Sequence, residues 1–264
     1  MSKARVAISF DDGRTDNYHI LKDILIPSGL PCTVFVTTGY IDGSCEQEFR
    51  PTEKKAMSVE NVKELFSEPL VEIGLHGDKH QNSPEDFSES KRKLIDWLSV
   101  PSSYRFGFSS PGSKLQPDQC NEDKDSSVFS RSNLPYISVG PTYSTMRSLR
   151  IIARKAARLI PSGFLFKFAY RDNLNESQDL FVIRRVPIMS GAALHQVKAL
   201  IGSAIRKKAN LVLMFHSIEE TQSDNWSWSE KKFSQLCLYL KSLQSKYKIE
   251  ITSVRGMAEQ AKNN

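Results

Sequence analysis

The sequence predicts an α/β chain, one barrel or sheet of about seven strands, and three observations support this. Short β-rich runs alternate with helically spaced segments along almost all of the 264 residues. No linker-like break in composition divides them, and no internal repeat is visible. The balance of 39% hydrophobic and 25% charged residues, with 13 Gly and 12 Pro, is that of a globular chain and excludes disordered or collagen-like classes.

Arg5 to Phe10 (RVAISF) reads as the first strand and runs into Asp11, Asp12 and Gly13, and Pro31 to Thr37 reads as the second. Between them, Asp16 to Ile26 carries apolar residues at helical spacing, with Thr15 or Asp16 placed to cap it, which makes a β-α-β unit. Ser58 to Phe66 follows as a helix capped by Ser58, Val71 to Leu75 as a strand, Pro84 to Leu98 as a helix and Tyr104 to Ser109 as a strand. Further on, Leu180 to Ile188 and Leu211 to Phe215 are strands, Ala192 to Lys208 and Ser229 to Tyr247 are helices, and Ile249 to Ser253 is a last strand.

The interval from about 121 to 179 fits this alternation least. Within it, Met146 to Arg171 interleaves Arg147, Arg150, Arg154, Lys155 and Arg158 with Ile151, Ile152, Leu159, Ile160, Phe164, Leu165 and Phe166. Two readings fit that pattern. One is a basic amphipathic helix lying on an anionic membrane surface; the other is a surface helix packing Ile151, Ile152 and Leu159 on the core.

Composition excludes some classes of function. The longest apolar runs, such as Leu211 to Phe215, are far short of the roughly 18 residues that span a bilayer, so a transmembrane chain is not expected. Lys3 and Arg5 precede only Val6, Ala7 and Ile8 before Asp11, with no secretory apolar region, which predicts a cytoplasmic location, at most peripheral at the inner face of the membrane. Cys32, Cys45, Cys120 and Cys237 form no CxxC and read as free thiols. The net charge of +6 favours anionic partners such as phosphate-bearing substrates and is too weak to imply nucleic acid.

Three of the strands end in residues that are costly to place without a purpose: Asp11 and Asp12, then His76 with His80, then His216. In α/β barrels and sheets the carboxyl end of the strands is where sites are built, so the spacing predicts one site. Two imidazoles four apart with a nearby carboxylate suit Zn²⁺ or a similar divalent ion and leave positions open for water and substrate. Side chains alternate at a strand end, so Asp11 and Asp12 need not point the same way. One can bind the cation while the other takes a proton from water made acidic by it, and His216 can protonate a leaving group. Metal, base and acid together describe hydrolysis of an amide or ester.

In this order, SFDDG (Ser9 to Gly13), HGDKH (His76 to His80) and LVLMFH (Leu211 to His216) resemble the polysaccharide deacetylase family, also called the NodB-homology or carbohydrate esterase 4 family. SVENVKELF before VEIGLHGDKH, PCTVFVTTGYIDG and WSEKKFSQLCLYL resemble the family's flanking segments, so that the resemblance covers most of the chain apart from about 121 to 179. It implies a distorted (β/α)₇ barrel over residues 1–264, a single domain with a divergent insertion at about 121–179. It implies Asp12, His76 and His80 as ligands of one metal ion, most simply Zn²⁺, Asp11 as general base and His216 as general acid.

Two family motifs are altered. The Arg-Pro-Pro-Tyr pattern appears only as Phe108-Ser109-Ser110-Pro111-Gly112, without an arginine in register. The Gly112 main-chain N–H can still serve an oxyanion, because such a donor needs no particular side chain. Arg185 is the candidate to replace the arginine that orients Asp11. The Asp-Trp pair of the fourth motif has no counterpart between Asn133 and Asp172.

The implied activity is metal-dependent removal of an N-linked acetyl group from an amino sugar of a glycan, nucleotide-sugar or lipid-linked precursor. Its rivals are a deformylase or O-acetyl esterase on a related sugar, and a non-catalytic glycan-binding protein of the same fold. A phosphate-bearing or lipid-linked substrate, and membrane contact through 146–171, are the partners expected. Trp226 and Trp228 are of a kind that stacks on sugars, although Trp228 also suits a staple for the helix beginning at Ser229. Tyr40 and Ser110 sit in loops near the motifs, and His19 and His195 read as ordinary helix residues.

Overall fold

The computed structural model describes residues 3–47, 55–115, 128–141, 146–176, 180–246 and 248–262. Cys120 and part of the 121–179 interval lie outside the described residues, whereas Cys32, Cys45 and Cys237 are free thiols.

In chain order, the first half contains β1 (Ala4–Phe10), α1 (Thr15–Ile20), β2 (Cys32–Val36), α2 (Thr38–Ile41), α3 (Val59–Ser67), β3 (Val71–Leu75), α4 (Pro84–Leu98), β4 (Phe108–Ser109) and β5 (Ile137–Val139). The second half contains α5 (Arg147–Leu159), α6 (Gly163–Tyr170), β6 (Val182–Pro187), α7 (Leu194–Lys207), β7 (Leu211–Phe215), β8 (Ser217–Glu219), β9 (Ser227–Ser229), α8 (Glu230–Ser245), β10 (Ile249–Ile251) and α9 (Val254–Lys262).

Strands β1 to β7 pair in sequence order, all parallel, and β7 pairs back onto β1, which closes a seven-stranded barrel. The distortion has a visible cause. On one side β1 meets β10 through Ala4 to Val6 and β2 only from Ile8 onward, so a short extra strand is wedged beside the start of β1. Every residue of β2 and β7 is buried, as parallel strands covered on both faces require.

Side-chain parity separates two cores. Val6, Ile8 and Phe10 face the surrounding helices, whereas Ala7, Phe35, Ile183 and Val212 form an inner cluster with Tyr136. Val254, Met257 and Ala258 of α9 join this inner cluster. There Glu72 accepts from Tyr136 Oη at 2.7 Å, from Thr33 Oγ1 at 2.8 Å and from Arg255 N at 2.9 Å. Apolar packing and a satisfied carboxylate thus tie α9 to the barrel interior beneath the carboxyl ends of the strands.

Several expectations are corrected. Neither Thr15 nor Asp16 caps α1: the N-cap is Arg14, whose side chain makes no capping bond. Thr15 instead donates to Ala56 O at 2.7 Å, and Asp16 accepts from Ile218 N at 3.2 Å. The strand expected over 104–109 is reduced to β4, where Gly107 lies so close to the Tyr136 ring that a Cβ would fall 2.1 Å from it. Strand β5 and helix α9 lay outside the expected pattern. Ser58 does cap α3, in a capping box with Asn61.

The interval that fitted least holds β5 and the helical crossover to β6. In α5, Arg150 is not part of a solvated basic face, because it is buried and lies 3.1 Å from Asp172. Nor do Ile152 and Leu159 pack on the core: they are 60% and 86% exposed. No helix among the described residues is long and apolar enough to cross a membrane.

Candidate active site

Strand register brings the motif residues to one level. Phe10 pairs with Phe215 and Val36 with Leu75, so Asp11, His216 and His76 emerge together where β1, β7 and β3 end. The backbone holds them there: Asp11 N donates to Phe215 O at 3.0 Å and His76 N to Val36 O at 2.9 Å.

Leaving β1, the chain turns through Asp12 at φ 78° and Gly13 at φ 76°, a left-handed turn that breaks strict alternation. Both carboxylates therefore converge instead of pointing apart. His76 Nε2 lies 3.5 Å from Asp12 Oδ1 and 3.7 Å from Asp11 Oδ2, and His80 Nε2 lies 3.7 Å from Asp12 Oδ1. The donor atoms of Asp12, His76 and His80 all fall within 4.8 Å of one another.

The tautomer of His76 is determined by its neighbour. Its Nδ1 sits 2.8 Å from the Ser109 carbonyl, which can only accept, so Nδ1 carries the proton and the Nε2 lone pair faces Asp12. Burial, the largest effect, together with His80 and Arg185 pushes the His76 pKa down to about 3, outweighing Asp12, so the ring is neutral near pH 7. A buried, neutral imidazole oriented by a carbonyl, a second imidazole and a carboxylate fit a divalent cation such as Zn²⁺.

Asp86 at the start of α4 pins the loop that carries both histidines. Its carboxylate accepts from Lys79 N and, at 3.0 Å, from Gln81 N. Gly77 sits between at φ 81°, and a Cβ there would fall 2.2 Å from Asp86 Oδ2, so both conformation and space demand glycine. Lys93 fastens the other side, 2.8 Å from Asp78 and 2.7 Å from Asp42.

The two carboxylates differ in their partners. Asp12 is bound by Arg14, whose Nη2 lies 3.1 Å from Oδ2. Burial opposes its charge, but His216, Arg14, His76 and His80 together outweigh burial and hold the carboxyl well below the usual range. Asp11 pairs with Arg185, whose Nη2 lies 3.3 Å from Oδ2. There burial prevails over Arg185 and His216, and the carboxyl is pushed up. Arg185 comes from β6, is 1% exposed, and also donates to Ser138 O at 3.0 Å and Ser110 O at 2.9 Å. The Ser109 hydroxyl accepts from Arg185 and lies 3.3 Å from Asp11.

His216 comes from β7, on the opposite side of β1 from β2 and β3. Burial is the largest effect on its ring and pushes the pKa down to about 4, more than Asp12 and Asp11 raise it. Among the described residues its Nδ1 has no hydrogen-bond partner. Trp226 lies against it, ring centres 4.6 Å apart, and is 45% exposed. Gly112, at φ 58°, lies in the turn after β4. Asp11, Asp12, Arg14, His76, His80, Gly112, Arg185, His216 and Trp226 line one cleft of about 530 Å³, with Tyr40, Ser113, Arg154, Arg158, Met189 and Met214.

Other side chains singled out from the sequence lie elsewhere or act structurally. Trp228 is fully buried, donating from Nε1 to Ala192 O at 2.8 Å. Ser110 is buried, its hydroxyl bonded to Asn82 and Leu115 N. His195 contacts Pro161 O, and His19 packs against Tyr18. Trp226, a sugar-stacking candidate in the sequence, does lie in the site, whereas Arg14 and Ser109 belong to it without having been assigned a role there. Arg14 had a usable signal, one basic residue directly after the Asp-Asp-Gly turn.

Residues 1–99 match the sequence profile of the polysaccharide deacetylase family. No curated protein matches the chain. Among solved structures, a candidate polysaccharide deacetylase from Mycobacterium smegmatis aligns over 99% of this chain and 91% of its own, at 12% identity and a TM-score of 0.53, a likeness of fold. The peptidoglycan deacetylase PdaC from Bacillus subtilis aligns over 99% and 92%, at 10% identity and a TM-score of 0.47. The deacetylase PplD from Streptococcus pyogenes, in complex with acetate, aligns over 50% of this chain at 18% identity and a TM-score of 0.38. The chain spans 54% of that last relative, about half its length. The resemblance read from the motifs holds: the first 99 residues carry the profile of the polysaccharide deacetylase family, on a closed seven-stranded parallel barrel of the deacetylase type.

Proposed function

We propose that the chain is a metal-dependent hydrolase that removes an N-linked acetyl group from an amino sugar of a glycan, nucleotide-sugar or lipid-linked precursor. The observation that carries this is the convergence, in one cleft, of an Asp12-His76-His80 donor set with a separately held carboxylate, Asp11. Asp12, His76 and His80 would hold one Zn²⁺ per chain. Such an ion polarises an acyl carbonyl and makes water more acidic.

In this reading Asp11 takes a proton from the attacking water, with Arg185 and Ser109 fixing its orientation. The Gly112 main-chain N–H offers a donor to the carbonyl oxygen as it gains charge. His216, neutral at rest, relays to the departing amine the proton that Asp11 has taken. Water thus supplies OH to the acetate and the amine leaves with its hydrogens complete. Trp226 beside His216 presents an aromatic face to a sugar ring.

The same reading puts an anionic membrane surface against α5 and α6. Six of the eight large hydrophobic side chains exposed among the described residues lie between Met146 and Phe164. The segment from Met146 to Arg171 contains no Asp or Glu, a charge pattern complementary to anionic lipid.

Acetate release from a panel of N-acetyl amino sugars, compared for wild type and Asp11→Asn, tests the activity. Wild type should turn over at least one of them. The variant should lose about a hundredfold or more, the usual contribution of a positioned general base. Formate release from N-formyl sugars or cleavage of O-acetyl groups in place of N-acetyl would reassign the acyl group. Equal rates in the two proteins would remove Asp11 from the role of base.

A further inference from the structure

The cleft carries more positive charge than an acetamide needs. Among the described residues Arg14, Arg154, Arg158 and Arg185 line it against Asp11 and Asp12 alone, an excess of two positive charges before any cation is added. Arg14 and Arg185 are consumed by the two aspartates. Arg154 and Arg158 are not: among the described residues neither has a carboxylate partner. Among the described residues Arg158 donates only to the Met189 sulfur, at 2.7 Å, and the buried Nε of Arg154 has no hydrogen-bond partner.

A buried guanidinium N–H without an acceptor costs free energy, so its persistence beside the reacting groups calls for an acceptor that enters with the substrate. The two arginines stand one helical turn apart on α5, so their side chains are neighbours on one stripe. Planar guanidinium forks at that spacing match the oxygens of a phosphate or diphosphate better than one carboxylate or a neutral hydroxyl. A cleft of about 530 Å³ has room for a sugar and the group beside it.

Resting on the proposed amino-sugar reading, we propose that Arg154 and Arg158 form a phosphate subsite, and that the substrate is an N-acyl amino sugar carrying a phosphate or diphosphate ester. The source of that group is a nucleotide or a lipid carrier, which share the chemistry recognised.

Calorimetric binding of N-acetylglucosamine and N-acetylglucosamine 1-phosphate to the metal-loaded protein tests the subsite. Wild type should bind the phosphorylated sugar at least about tenfold more tightly, as charge-assisted hydrogen bonds to phosphate imply. In R154Q/R158Q the ratio of the two affinities should fall toward one, while R154K/R158K keeps most of it. Equal affinities in wild type, no measurable binding of the phosphorylated sugar, or a preference that survives R154Q/R158Q overturns the subsite.

Two further ligands distinguish the source: a uridine diphosphate sugar in solution and a polyprenyl diphosphate sugar in phosphatidylcholine vesicles. Whichever shows the arginine-dependent preference supports the subsite and identifies the carrier. Acetate release is scored separately. Phosphate preference without it upholds the subsite and counts against deacetylation, and acetate release without phosphate preference does the reverse.

Discussion

Asp11 and Asp12 are neighbours in the chain with different electrostatic surroundings, and their proposed roles rest on that difference. Asp12 is surrounded by Arg14, His76, His80 and His216, which favour its charge against burial. Asp11 has one close cation, Arg185, and burial prevails. Arg185→Met should therefore leave the metal content near wild type and cut turnover sharply. It should also lower stability by about 3–5 kcal/mol, the cost of leaving a buried charge without its partner. Urea unfolding with parallel metal analysis checks this, and unchanged stability and turnover would make Arg185 a bystander. The motif residues were legible because strand ends rarely carry Asp-Asp or His-x-x-x-His without cause. Arg185 was legible only as a replacement for something missing. Trp226 was legible only as a residue of a kind that stacks on sugars, and Ser109 was not legible at all, because a lone serine has no pattern until the barrel brings it beside Asp11.

Helix α5 presents three faces that sequence periodicity blurs together. Arg150, Ala153 and Ala157 are buried, Arg154 and Arg158 line the cleft, and Leu149, Ile152 and Leu159 are exposed. Apolar spacing alone could not tell the buried stripe from the exposed one, since the buried stripe is made of alanines and an ion-paired arginine. If the exposed stripe meets lipid, replacing Leu149, Ile152 and Leu159 by Ser should weaken flotation with phosphatidylserine-containing vesicles by more than about tenfold. Each such side chain contributes about 1.5–3 kcal/mol on full burial. Failure of wild type to float, or equal flotation of the variant, would remove the membrane from the account. Strand β5 was missed for a different reason: three residues between Pro135 and Pro141 are too few to show a period. Strand pairing with β4 and β6 makes it a strand, a tertiary cause absent from the local sequence.

At the scale of the molecule, barrel closure makes a site out of separate motifs. Residues 11, 76, 185 and 216 come from four strands, and only the parallel register of β1 with β7 and of β2 with β3 puts their ends at one level. Alternation of strands and helices made the α/β class and a count of about seven strands readable, and the family resemblance supplied the choice of a barrel over an open sheet. The wedge of β10 beside β1 and the packing of α9 on the inner core were not readable, because both depend on contacts across the whole chain. This assembly is expected to hold one divalent cation beside Asp11, and elemental analysis of protein supplied with Zn²⁺ and then dialysed decides whether it does. About one divalent ion per chain should be found in wild type and in Asp11→Asn, and almost none in His80→Ala or Asp12→Ala. Wild-type protein that retains no ion, or His80→Ala protein that retains as much as wild type, would contradict the account.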